Sequence, residues 1–161
     1  MIEKVIGLMI SYFEKDRKMI NHTLKVYGFA STIGRLEKLP EEKQMTLELA
    51  SILHDIGIKI SREKYNSSDA KYQEKEGPPI ARSMLESLGF SKEITDRVSF
   101  IVGSHHSYEK IDDLDFRIVV EADFLVNLDE GFVPMSDFDF IRGTYFKTES
   151  SIKMLYSMYK E

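Results

Sequence analysis

The sequence predicts an all-α protein, a single domain built as a bundle of about seven helices. Three observations carry that expectation. Apolar residues recur with the helical period along nearly the whole chain, and no run alternates apolar and polar over the length of a strand. The 161 residues are enough for one domain with a full core. There are no cysteines, so neither disulfides nor a zinc-thiolate cluster shapes the fold, and no thiol nucleophile is on offer.

The first helix is expected over residues 2–14, where Glu3 and Glu14 and the helical period argue against a signal peptide. Asp16 is placed to cap a second helix over residues 17–36, with Met19, Val26, Phe29, Ala30 and Ile33 on one face. Pro40 opens a third, which carries "LELASILHDIGIKI" and weakens at Gly57. Residues 61–76, "SREKYNSSDAKYQEKE", are polar and of mixed charge, and are expected to form a solvated loop or lid with "NSS" as turn punctuation. "GPPIARSMLESLG" then reads as a helix opened by proline and closed by Gly89. Ser91 caps the next, which ends near His105 and His106; another covers residues 113–129, and a last one follows Ser136. No repeat, low-complexity tract or linker suggests an internal boundary.

The net charge of -5, with both signs interspersed, disfavours nucleic acid or an anionic membrane as partner and leaves a small molecule as the expected one. No apolar run approaches a membrane span, and the absence of cysteine agrees with a reducing compartment, so the expected location is the cytoplasm.

The chemistry-bearing residues interrupt the apolar faces. His54 and Asp55 lie side by side in the most apolar helix, where an unpaired buried carboxylate would cost several kcal/mol. His22 shares its face with Val26, Phe29 and Ile33, and Asp123 is flanked at helical spacing by Val119, Val120, Val126 and Asn127. Two inward carboxylates and two inward imidazoles are costly singly and cheap together if they converge on one divalent cation. His54 and Asp55 leave their helix about 100° apart, so an ion would lie between their directions, with His22 and Asp123 completing its shell from neighbouring helices. Two nitrogens and two oxygens without a thiolate suit manganese, iron, cobalt, nickel or zinc, and leave coordination positions open.

His22, then "HD" at His54 and Asp55, then Asp123 resembles the H…HD…D pattern of the HD-domain superfamily of metal-dependent phosphohydrolases. "HDIG", "EGPPIARSMLESLG" and "IVGSHH" are similar to that superfamily in order and spacing. The resemblance implies an all-α fold around one or two metal ions that hydrolyses phosphate esters, often of nucleotides; a few members instead hold two irons and oxidise with oxygen, and a sensor without catalysis is a further alternative. His105 and His106 become candidates for a second metal or a substrate phosphate, with one of the two expected to face the pocket. Glu76 lies near where dinuclear members place a further histidine; this chain has none there, so a second site would need the carboxylate, and one tightly bound ion is expected. Lys59, one turn after Asp55, is a candidate phosphate ligand, as are Arg62 and Lys71, with Lys64 and Tyr72, in the presumed lid. The branch that cleaves cyclic dinucleotides has a lysine after "HDIG", where this chain has Ile58, and "HHE" with "GYP", where it reads "HHSYEKIDDLDF". That activity is not expected here.

Overall fold

The computed structural model describes residues 1–160. Among them are nine α-helices, two short 3₁₀ turns and no strand. The helices are α1 (Ile2–Phe13), α2 (Arg17–Leu36), α3 (Glu41–Leu53), α4 (Ile58–Tyr65), α5 (Ala70–Ser87), α6 (Lys92–Val102), α7 (Leu114–Glu130), α8 (Phe138–Tyr145) and α9 (Glu149–Tyr159). The all-α expectation holds.

Local chemistry explains the helix starts. Asp16 accepts the amide of Met19 at 3.1 Å and caps α2, and Ser91 does the same for Ile94 at 3.3 Å in α6. Every residue of α3 from Thr46 to Leu53 is buried, because that helix packs against α1, α2, α6 and α7 at once. A helix buried all round shows no polar stripe, and the two polar residues of the "LELASIL" run are themselves buried and bonded, the Glu48 carboxylate accepting from Ser31 and Gln44 and the Ser51 hydroxyl donating to the Glu48 carbonyl. The core closes on it with Val26, Ile33, Ile101, Val102, Phe116, Ile118 and Leu125.

Four expectations need correction. The presumed lid at 61–76 is mostly helical: α4 runs on to Tyr65, Asn66 ends it in the left-handed region at φ 50°, and α5 begins at Ala70, so only the "NSS" turn and its neighbours form a loop. The Tyr65 and Tyr72 rings stack across that turn at 4.0 Å and hold the two helices together. Pro78 and Pro79 do not open a helix but lie inside α5. Each removes one ladder hydrogen bond, a cost of about 3 kcal/mol in an isolated helix, which the packing of α5 on α4 and α6 overrides. The helix before His105 and His106 stops at Val102, so both histidines follow it in a turn.

The C-terminal segment is two helices rather than one. The break at Phe146–Thr148 is secured by Glu121, a buried carboxylate on α7 that accepts the amides of Lys147 (2.6 Å) and Thr148 (3.0 Å) and the Thr148 hydroxyl (2.7 Å). Thr148 in turn caps α9 through the Ser151 amide. No helix among the described residues is long and apolar enough to cross a membrane.

Candidate metal centre

The site forms where the C-terminal ends of α3 and α6 meet the second turn of α2 and the C-terminal half of α7. The chain turns sharply at 54–57 after α3, with the amide of Ile56 on the Leu53 carbonyl and that of Ile58 on Asp55. This turn swings Asp55 toward the imidazoles. His22 Nε2 lies 3.2 Å from Asp55 Oδ2 and 3.2 Å from Asp123 Oδ1. His54 Nε2 lies 3.2 Å from Asp55 Oδ2 and 3.6 Å from Asp123 Oδ1. The other oxygen of Asp55 faces His105 Nε2 at 3.3 Å.

These atoms approach without bonding. His22 Nε2, His54 Nε2, His105 Nε2 and Asp123 Oδ1 are buried and have no hydrogen-bond partner among the described residues, the carboxylate oxygens lying off the ring-nitrogen directions. Leaving so many polar atoms unsatisfied is expensive unless something else meets them. Bonds of about 2.0–2.2 Å to one ion place neighbouring ligand atoms about 3.0 Å apart in an octahedron and about 3.4 Å apart in a tetrahedron. All but one of the observed separations fall in that range, and the exception, His54 to Asp123 at 3.6 Å, lies just above it, so the donor set fits a divalent ion in chemistry and in size.

Two groups of ligand atoms result, His22 with His54 and Asp123, and Asp55 with His105 and His106, each with its atoms within 4.8 Å of one another. Both members of the "HH" pair therefore belong to the cluster, against the expectation that one would turn away. The turn after Val102 bends the chain between them, so the spacing of an unbroken helix does not apply. His106 lies against His105, ring centroids 4.0 Å apart, with Nε2 3.4 Å from Gln73 Oε1. Its backbone amide donates to Glu74 Oε1 at 3.1 Å.

Electrostatics follow from this packing. Burial disfavours a charged His22, but Asp123 and Asp55 outweigh it and raise its pKa to about 9. His54 is likewise raised well above the ordinary value, burial being overcome by Asp55 and Asp123. Asp55 and Asp123, despite burial, are held below the usual carboxylate range by the histidines around them. Burial and the neighbouring His105 push His106 down to about 4, so its ring is neutral at physiological pH. Without an ion, His22 and His54 hold two protons against two carboxylates, and a dication replaces those protons charge for charge.

A pocket of about 630 Å³ opens over the cluster, reached past Lys18, Lys25, Arg62, Asn21, Asn127 and Phe132. Arg62 stands there as expected, paired with Asp16 at 3.1 Å. Lys59 does not, because the turn at 54–57 breaks the register that would have aligned it with Asp55; its ammonium binds Glu14 and the Tyr12 carbonyl instead. Glu76 is also elsewhere. The buried face of α5 runs through Gln73, Gly77, Ala81 and Leu85, so Glu76 points aside and binds Tyr65 and Lys64. Lys71 lies over the Tyr72 ring, outside the pocket lining. Sequence reasoning missed Lys18 and Lys25, although they stand four residues before and three after His22, and Glu130, seven after Asp123.

An HD-domain family profile matches residues 19–128, from the turn before His22 to the one after Asp123. The chain belongs to the HD-domain family. The resemblance carried by His22, His54, Asp55 and Asp123 is thus the right one at the level of family. The HD fold is seen again in the crystal structure of a predicted HD superfamily hydrolase from an uncultured Thermotogales bacterium, with a TM-score of 0.72 and 23% identity over 98% of this chain and 84% of that one. At that identity the likeness speaks to the fold. No curated protein matches the sequence.

Proposed function

We propose that this HD-domain protein is a divalent-metal-dependent phosphohydrolase acting on a nucleotide or another small phosphate ester. The observation that carries the reading is the convergence of three unpartnered Nε2 atoms and the Asp123 Oδ1 oxygen beneath a pocket whose mouth holds three cations, Lys18, Lys25 and Arg62. His22, His54 and Asp123 would hold the ion, with Asp55 completing the set. Manganese, iron, cobalt, nickel and zinc all suit two imidazoles and two carboxylates. A divalent ion there supplies Lewis acidity, lowering the pKa of water and offsetting charge on a phosphoryl oxygen.

The chain's own residues do the rest. Lys25 and Arg62 already pair with Glu130 and Asp16, whereas Lys18 makes no ion pair among the described residues and is free to meet a substrate anion. His106, neutral and facing the pocket, offers a lone pair for a proton or for a second ion. The two oxygens of Asp55 point toward different ligand groups, which supports a two-ion centre as the second reading in place of the single ion expected from sequence.

The test is phosphate release from nucleoside mono- and triphosphates, simple phosphomonoesters and a cyclic diester, with metal content measured on protein purified without chelator. We expect release that chelator abolishes and manganese or cobalt restores. Two bound irons with oxygen consumption and no phosphate release would favour an oxygenase, and bound nucleotide left intact would favour a sensor.

A further inference from the structure

We propose that Glu130 is a positioning residue for the first ion, holding the His22 ring so that Nε2 faces it; this rests on the metal-dependent reading above. Three buried imidazoles point Nε2 into the cluster, and each needs an acceptor for the proton on Nδ1. His54 and His105 find theirs locally: Nδ1 of His54 donates to the Ser51 carbonyl at 2.7 Å, and Nδ1 of His105 to the Val102 carbonyl at 2.9 Å. His54 directly follows the end of α3 and His105 lies three residues past the end of α6, where carbonyls of the last turn have no helical amide to accept. The geometry is the same in both, with the acceptor three residues back.

His22 cannot copy it. It sits inside α2, where the carbonyls of the preceding turn serve the helix's own ladder. Its acceptor comes instead from another helix: Glu130 Oε2 lies 3.2 Å from His22 Nδ1. Glu130 is the last residue of α7, seven after Asp123, so one face of α7 delivers both an ion ligand and the holder of a second ligand. Gly131, at φ 77°, ends the helix immediately after it. The other oxygen of Glu130 binds Lys25 Nζ at 2.8 Å, and Lys25 stands one turn beyond His22 on α2, closing a loop of contacts between the two helices.

A carboxylate behind a metal-bound imidazole fixes its tautomer and raises its basicity, and such partners are commonly worth 10- to 100-fold in metal affinity. His22 is thus the one imidazole of the three whose orientation depends on a side chain. The holders of the other two are backbone and survive any substitution of the residues that carry them.

The experiment measures Zn²⁺ affinity by competition with a chelating dye in the full chain, comparing wild type with Glu130→Ala and Glu130→Gln. Ala should weaken the first ion about 10- to 100-fold. Gln, which keeps an oxygen acceptor without the charge, should recover part of that loss while leaving helix content unchanged. Long-range proton–nitrogen spectra of the zinc-loaded protein give a second readout: a persistent Nδ1 proton on His22 in wild type and Gln, lost in Ala, with His54 and His105 unaffected in all three. Wild-type affinity together with a persistent His22 Nδ1 proton in the Ala variant would overturn the proposal. Failure of wild type itself to bind a divalent ion would overturn the metal reading and this inference together, and that result is distinguishable from tight binding that ignores Glu130.

Discussion

Two clusters of charge join helices in this protein, and they are built in opposite ways. Around Arg97, on α6, every guanidinium nitrogen has an acceptor: Nε and Nη2 bind both oxygens of Asp115 at 2.9 and 2.6 Å, and Nη1 and Nη2 bind both oxygens of Asp112 at 2.9 and 2.8 Å. Asp115 also accepts the amide of Phe116 at 2.8 Å. Around His22 and His54 the polar atoms face one another across a gap and leave ring nitrogens and a carboxylate oxygen unmatched. The first cluster is closed and joins α6 to the start of α7. The second is complete only when something enters it. Charge and a buried carboxylate, Asp115 in one and Asp55 in the other, are common to both, so neither distinguishes a site from a strut; the state of the hydrogen bonds does.

The comparison can be broken most directly at the ligands. Asp123→Ala should abolish tight binding of the first ion, a loss on the order of 10³-fold or more given the affinities of such sites. Full occupancy of that variant after desalting, measured by elemental analysis, would remove Asp123 from the set. Arg97→Ala should do the reverse. It strands the buried carboxylate of Asp115, which costs about 3–5 kcal/mol, while metal stoichiometry stays at the wild-type value. Chemical denaturation with metal analysis on the same samples would show whether the two effects separate, and loss of the ion with Arg97 would merge the clusters into one functional unit.

A subtler effect comes from pH. His22 has its pKa raised to about 9 in the ion-free chain, and His54 is raised too, so both rings are protonated at neutral pH and an entering ion must displace those protons. Raising the pH removes the competitor. Apparent affinity should therefore climb from pH 6 and level off above about 9, by up to tenfold per unit for each proton displaced. Titration calorimetry in buffers of different ionisation enthalpy counts the protons released, and an affinity that is flat between pH 7 and 9 would sink this account. The smallest effect is expected at the mouth of the pocket. Lys18→Ala should raise KM for the phosphorylated substrate about 3- to 10-fold and leave kcat near wild type, the loss of roughly one exposed charge contact.

The parts of this arrangement that could be read from sequence are those that repeat along one helix. His22 among Val26, Ala30 and Ile33, and Asp123 among Val119, Val120 and Val126, declare their inward direction because an apolar stripe surrounds them. The family pattern is legible for the same reason. What could not be read depends on where helices end. The turn at 54–57 removes Lys59 from the pocket, the one after Val102 admits both His105 and His106, and the start of α5 at Ala70 turns Glu76 aside. Each is a shift of a fraction of a turn, and each reverses what one side chain does. The prolines inside α5 misled for a related reason, since local propensity is a weak guide where tertiary packing is dense.

Three glycines give the site a property that no side chain supplies. A β-carbon on Gly57 would lie 2.6 Å from the Gln73 carbonyl and 2.8 Å from the Gly77 amide, one on Gly77 would strike Val102, and one on Gly103 would strike Pro78. Main chain meets main chain at Gly57 and Gly77, so the turn carrying His54 and Asp55 and the turn carrying His105 and His106 are both pressed onto α5. The interval between the two ligand groups is in effect a calliper setting made of backbone. Mutations of core side chains other than Val102 and Pro78 would leave it alone, and a single added methyl at Gly57, which meets only main chain, would open it.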